Sequence, residues 1–117
     1  SSTFVIQVES VQAVENIDSL LVSDEVDAVM VGPYDISGSL GVPGQTSHPL
    51  VIEASRTVID ACERFGKSCG TQVADGSAES VQALFDLGYT YAILGSDLFV
   101  LWKWAEQMQG LMNTFRS

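Results

Sequence analysis

The sequence predicts an α/β fold in which parallel strands alternate with helices. Three observations carry that expectation. Short apolar runs punctuated by glycine recur four times along the chain, segments with apolar residues at helical spacing lie between them, and two of those segments stop at a glycine. Strands alternating with helices form right-handed βαβ units around a parallel sheet. The 117 residues are enough for one domain with a modest core.

Residues 4–9 (FVIQVE) are β-branched and apolar, and residues 27–32 (DAVMVG) form a continuous apolar run. Residues 68–74 (SCGTQVA) are shorter and more polar, and residues 91–95 (YAILG) are apolar again. Each is expected as a strand buried on both faces. Between the first two, Val11, Val14, Ile17 and Leu21 repeat at helical spacing over residues 10–21, with Ser10 as the N-cap. A second helix is expected over residues 49–65. It opens at Pro49, carries Val51, Val58, Cys62 and Phe65 on one face, and is stopped by Gly66. A third, over residues 78–87, turns Val81, Leu84 and Phe85 inward and ends at Gly88.

The last helix is expected over residues 98–115, with Asp97 as N-cap. Leu98, Leu101, Trp102, Ala105, Met108 and Met112 make one stripe, and Phe99, Val100 and Trp104 lie outside it. A helix apolar on more than one side is buried on more than one side, against another subunit or against more of the same chain. Residues 34–48 (YDISGSLGVPGQTSH), rich in Gly, Ser and Pro, read as a surface loop after a strand, where α/β active sites sit. The count is four βα units, half of what a closed (β/α)8 barrel requires.

Composition narrows the function. Hydrophobic residues make up 46% and charged residues 17% of a chain with net charge −10. The five basic residues, Arg56, Arg64, Lys67, Lys103 and Arg116, are scattered, which excludes a nucleic-acid surface. No apolar run is long enough for a membrane span, and the first residues do not read as a signal peptide. Cys62 and Cys69 form no CxxC and are expected as core thiols, so a reducing cytoplasm is the expected location.

Two carboxylates are the strongest chemical candidates. Glu9 ends the first strand and Asp35 lies just past the end of the second. Parallel neighbours about 4.8 Å apart present their C-terminal ends on one side, so both can reach one point. Facing carboxylates repel unless a proton or cation lies between them, and Mg²⁺ is commonly held by one or two carboxylates with waters and substrate oxygens. The alternative is that Glu9 caps the next helix and Asp35 makes an Asx turn. Gln7, two residues before Glu9, points to the same side and needs a hydrogen-bonding partner if buried. Gly32 and Pro33 make a tight turn that exposes the N–H groups of Tyr34 and Asp35, donors suited to a carboxylate.

His48, the single histidine, is expected in a helix-entry contact rather than as a base. Ser37, Ser39, Thr71, Gln72 and Ser96 have no base beside them, so no Ser-His-Asp arrangement arises. Gly95-Ser96-Asp97 suggests a phosphate site at a helix start, but Asp97 opposes an anion there.

The ordered set Gln7-Val8-Glu9, Val31-Gly32-Pro33-Tyr34-Asp35-Ile36-Ser37, Ser39-Leu40-Gly41 and His48-Pro49 resembles the HpcH/HpaI aldolase / citrate lyase β family. The resemblance covers nearly the whole chain. It implies a TIM barrel, of which residues 1–117 would be the C-terminal half, about the last four βα units. It also implies that Glu9 and Asp35 bind Mg²⁺ or Mn²⁺. A 2-keto acid would chelate that ion, with Gly32, Pro33, Tyr34 and Asp35 around its carboxylate and Gln7 as a catalytic polar group. The implied chemistry is class II aldol cleavage of a 2-keto-4-hydroxy acid to pyruvate and an aldehyde through a metal-stabilised enolate. The alternatives are an acyl-CoA lyase of the citrate lyase β type, or a non-catalytic half-barrel that self-associates. A homo-oligomer through the C-terminal helix is expected. Ile36 stands where the family usually has Leu, and Tyr34 where it often has a small residue, which leaves the aldehyde open. The family's catalytic His and substrate Arg belong to its N-terminal half, and His48 does not match that base.

Overall fold

The strands lie across one sheet in the order in which the chain makes them: β1 (Val5–Val8), β2 (Ala28–Val31), β3 (Ser68–Gln72), β4 (Tyr91–Leu94), β5 (Asp97–Leu101) and β6 (Met112–Arg116). This computed structural model describes residues 4–74, 76–101 and 112–116. The pairs β1–β2, β2–β3 and β3–β4 are parallel, as the βαβ pattern requires, and the four strands expected from the sequence are present. The helices are α1 (Val11–Glu15), α2 (Ile17–Leu21), α3 (Pro33–Ser39), α4 (Pro49–Phe65) and α5 (Ala78–Leu87).

The pleat assigns each side chain to a face. Val8, Val31, Thr71 and Ala92 stand in one row across the first four strands, and Val29 pairs with Cys69 two residues earlier. All six are buried. Val8, Val29, Val31 and Cys69 pack with Val51, Val58, Ile59 and Cys62 of α4 and with Val14, Ile17 and Leu21 of α1 and α2. In the alternate set Ala28 and Gly70 are buried, whereas Gln7, Met30, Gln72 and Ile93 are half-buried or exposed. The strands are therefore fully covered on one face and only partly on the other, and the expected burial on both faces does not hold throughout. Their other face opens into a cleft.

α4 has the bounds read from the sequence. Its Pro49 sits in the first turn, and Gly66 closes it with φ 67°, a left-handed conformation that glycine adopts without a Cβ penalty. The single helix expected over residues 10–21 is broken at Asn16, whose φ and ψ are −102° and 15°. The Asn16 N–H and its Nδ2 both donate to the Gln12 carbonyl, the side-chain bond at 2.8 Å. Such local competition favours an interruption. The loop expected over residues 34–48 begins instead as α3. Pro33 pre-sets the first turn, and Ile36 and Leu40, four apart, pack into the core. The glycine and serine content around them masked that spacing.

The helix expected over residues 98–115 is the largest correction. Its beginning lies in β5 and its end in β6, an antiparallel pair. Residues 102–111 lie outside the described residues. Leu94 pairs with Asp97, so Gly95 and Ser96 are a two-residue hairpin loop, with Gly95 at φ 61°. An open parallel sheet leaves the pairing groups of its last strand free, and the hairpin satisfies those of β4. The run Leu98-Phe99-Val100-Leu101 suits a strand as well as a helix. With no helix starting at Asp97, the phosphate site loses its basis. Among the described residues, no helix is long and apolar enough to cross a membrane.

Candidate active site

Glu9 and Asp35 converge over Gly32. The register that puts Val8 opposite Val31 continues one step: the Gly32 N–H donates to the Val8 carbonyl at 3.0 Å, which brings Glu9 level with Gly32. Asp35 stands in the first turn of α3. A Cβ added to Gly32 would lie 3.3 Å from Asp35 Oδ2 and 3.3 Å from Glu9 Cγ. The two acidic side chains thus flank a space that exists because residue 32 has no side chain. Ser10, not Glu9, caps α1, its hydroxyl accepting from the Ala13 N–H at 3.1 Å. Neither Glu9 nor Asp35 has a hydrogen bond or ion pair to another described residue; the ion pair that is found joins Arg64 to Asp18 on the surface. Among the described residues, no three or more His, Cys, Asp or Glu side chains gather at one point.

Serines hold this arrangement together. The Ser39 hydroxyl accepts from the Val11 N–H at 3.0 Å, tying the end of α3 to the chain two residues past Glu9. Ser37 is fully buried; its hydroxyl donates to the Tyr34 carbonyl at 2.5 Å and accepts from the Gly44 N–H at 2.9 Å. The second bond anchors the loop that carries Thr46 back over the sheet. Both serines lacked an evident chemical partner in the sequence, and both join the acidic pair to its surroundings.

The cleft above the carboxylates has a volume of about 800 Å³. Gln7, Glu9, Gly32 and Asp35 line one side, with Tyr34, 70% exposed, at its rim. Gln72 and Ile93 line the other, and Thr46 also borders the cleft. Beneath it the Tyr91 ring lies across Gly70, and its hydroxyl donates to the Val29 carbonyl at 2.8 Å. Burial pushes the Tyr91 phenol up to about 12, so it stays a donor at neutral pH.

The structure brings together Gln7, Glu9, Gly32, Pro33, Tyr34 and Asp35, all on one cleft. Gln7 shares the side of Glu9 as expected, but it is exposed rather than buried, because the cleft is open above β1. His48 is placed as expected, at the start of α4, where Nδ1 accepts from the Leu50 N–H at 3.1 Å. Cys62 and Cys69 are free core thiols; their mutual hydrogen bond, then burial, holds the Cys69 thiol well above its usual range. Thr46 and Gln72 were passed over as cleft residues. Strand parity could have found Gln72, since it shares the face of Gly32.

The family model for HpcH/HpaI aldolase/citrate lyase matches residues 1–103. The chain belongs to the HpcH/HpaI aldolase/citrate lyase family. A 5-keto-4-deoxy-D-glucarate aldolase of Salmonella paratyphi C is 33% identical over 114 residues, covering 97% of this chain and 43% of the relative. The same enzyme of Citrobacter koseri is 36% identical over 98 residues, covering 84% and 37%. The HpcH/HpaI aldolase of Desulfitobacterium hafniense DCB-2 superposes with a TM-score of 0.68 at 40% identity, over 78% of this chain and 35% of that one. A family protein from Burkholderia cenocepacia J2315 gives 0.72 at 28% identity, over 79% and 35%. The fold is thus part of a TIM barrel, and this HpcH/HpaI chain spans less than half the length of the curated relatives it matches.

Proposed function

We propose that this HpcH/HpaI chain carries the metal-binding and keto-acid-binding part of a class II aldolase. Such an enzyme cleaves a 2-keto-4-hydroxy acid to pyruvate and an aldehyde. The observation that carries the proposal is the pair of unpaired carboxylates flanking the empty space over Gly32. Two hard oxygen donors with room for waters and substrate oxygens suit Mg²⁺ or Mn²⁺. When bound, the ion supplies positive charge to the keto oxygen, where negative charge collects as the carbon–carbon bond breaks.

The chain's own residues supply the rest. Pro33 has no N–H, so the first-turn donors of α3 are those of Tyr34 and Asp35, which a helix leaves without internal partners. They hold the keto acid's carboxylate and so orient the C3–C4 bond in the cleft. Gln7, exposed on the same side, donates its amide to the keto-acid oxygens or to a water beside Glu9. In cleavage the C4 hydroxyl gives up its proton, the C3–C4 pair passes to the keto-acid fragment, and C3 takes a proton. The base that accepts the hydroxyl proton is not assigned to this chain, because His48 is engaged at α4. The free buried thiols fit a cytoplasmic setting.

A titration with Mn²⁺, with and without oxalate, tests the reading. Binding that oxalate tightens supports it. A folded protein with no Mn²⁺ affinity under either condition removes it. Ser39 provides a graded check. Ser39→Ala deletes the bond to the Val11 N–H and frees the segment after Glu9; a neutral hydrogen bond contributes roughly 1 kcal/mol, so Mn²⁺ should bind about fivefold more weakly. Ser39→Thr, which keeps the hydroxyl, should restore most of that affinity in the same calorimetric titration.

A further inference from the structure

We propose that Gln72 is a specificity-determining residue that selects acceptor aldehydes bearing hydroxyl groups. The inference rests on the aldolase reading above and goes beyond it by naming the chemistry of the second substrate. Its basis is the sheet register. Val8, Val31 and Thr71 are aligned across β1, β2 and β3, so the next residues, Glu9, Gly32 and Gln72, form the next row on the opposite face of the sheet. Gln72 therefore stands about one strand spacing, roughly 4.8 Å, from Gly32 on the side away from Glu9. Because Gly32 has no side chain, nothing of residue 32 stands between the Gln72 carboxamide and the two carboxylates.

The Gln72 side chain is exposed to the cleft and has no hydrogen bond to another described residue. Its strand partner Ile93 gives it an aliphatic wall. This side of the cleft thus offers an amide beside a hydrocarbon surface. An amide carries two donors and an acceptor without charge, which matches alcohol hydroxyls, both donors and acceptors themselves. A keto acid held between Glu9 and Asp35 fills only part of a cleft of about 800 Å³. The remaining space on the β3 side is where the aldehyde's carbon chain extends. A hydroxyl there pairs with Gln72, whereas a methyl of equal size displaces water from the amide and gives nothing back.

The test uses the full-length gene product with Mg²⁺ and compares the wild type with Gln72→Met and Gln72→Leu. Exchange of pyruvate methyl protons in D₂O needs no acceptor and reports the keto-acid site. The ratio of kcat/KM for glycolaldehyde to that for propanal, which replaces the hydroxyl with a methyl, reports the acceptor site. With oxalate in place of pyruvate, the ¹⁵N signals of the Gln72 side-chain amide report acceptor contact without turnover. The expected result is unchanged exchange in all three proteins and a wild-type preference for glycolaldehyde of roughly tenfold, reduced to near unity in both variants. Glycolaldehyde, and not propanal, should shift the Gln72 amide. Normal exchange with an unchanged preference in both variants overturns the role of Gln72 alone. A wild type that does not exchange pyruvate protons overturns the aldolase reading, and this inference with it.

Discussion

Asp35→Asn and Glu9→Gln should each weaken Mn²⁺ binding by at least about 100-fold, the upper range for losing even an outer partner of a metal ligand. Each substitution keeps the size and shape of the side chain, so the first turn of α3 and the contacts around Gly32 are preserved. What is lost is a full negative charge and one of the two hard anionic donors of the proposed site. Calorimetric or electron-spin titration measures the effect. A second readout separates it from unfolding. In the metal-free protein the two carboxylates face one space without a counter-charge, and removing either relieves repulsion. Each variant without metal should therefore be at least as stable to urea as the metal-free wild type. Retained Mn²⁺ affinity in either variant would take that residue out of the site.

Gly70→Ala should destabilise the fold by about 3 kcal/mol, near the top of the range for overpacking. Gly70 pairs with Tyr91 across β3 and β4, and a Cβ at residue 70 would run into the face of the Tyr91 ring. The ring cannot yield without withdrawing its hydroxyl from the Val29 carbonyl two strands away, which leaves a part-buried phenol hydroxyl without that partner. Urea unfolding measures the cost, and a double-mutant cycle assigns it. In a Tyr91→Ala background the same change at residue 70 should cost less than about 1 kcal/mol, because nothing overlies the added methyl. An equal cost in both backgrounds would place the strain in the β3 backbone instead.

How much of this was legible before the structure depended on how local the deciding physics is. α4 was readable to its ends because Pro49, Gly66 and the stripe from Val51 to Cys62 all act within one helix. The paired carboxylates were readable because parallel strands carry their C-terminal ends to one side, and the family motif around Gly32 and Asp35 agreed with that geometry. The break at Asn16 was hidden because Val14, Ile17 and Leu21 keep their spacing across it, and the interruption lies in one side chain's bond to the Gln12 carbonyl. α3 was hidden because two apolar residues, Ile36 and Leu40, are too few to show a period. The residues after Gly95 were misread because the pairing needs of β4 belong to another element, and periodicity within residues 98–115 carries no information about them. Gln72 was missed for a related reason: its importance comes from its row across three strands, not from its neighbours in sequence.

The strand order has a consequence for how such a molecule is made and how it changes over time. Every strand hydrogen-bonds its immediate predecessor in the chain, and no connection passes over another to reach a distant partner. The sheet can be laid down during synthesis as each unit emerges, with short loop closures instead of a search for remote segments. The same property makes the architecture extensible, since a strand and its helix can be gained or lost at either end without rethreading those between. Glu9 and Asp35 follow two adjacent strands, so the acidic pair sits within a single βαβ repeat and is inherited as one piece.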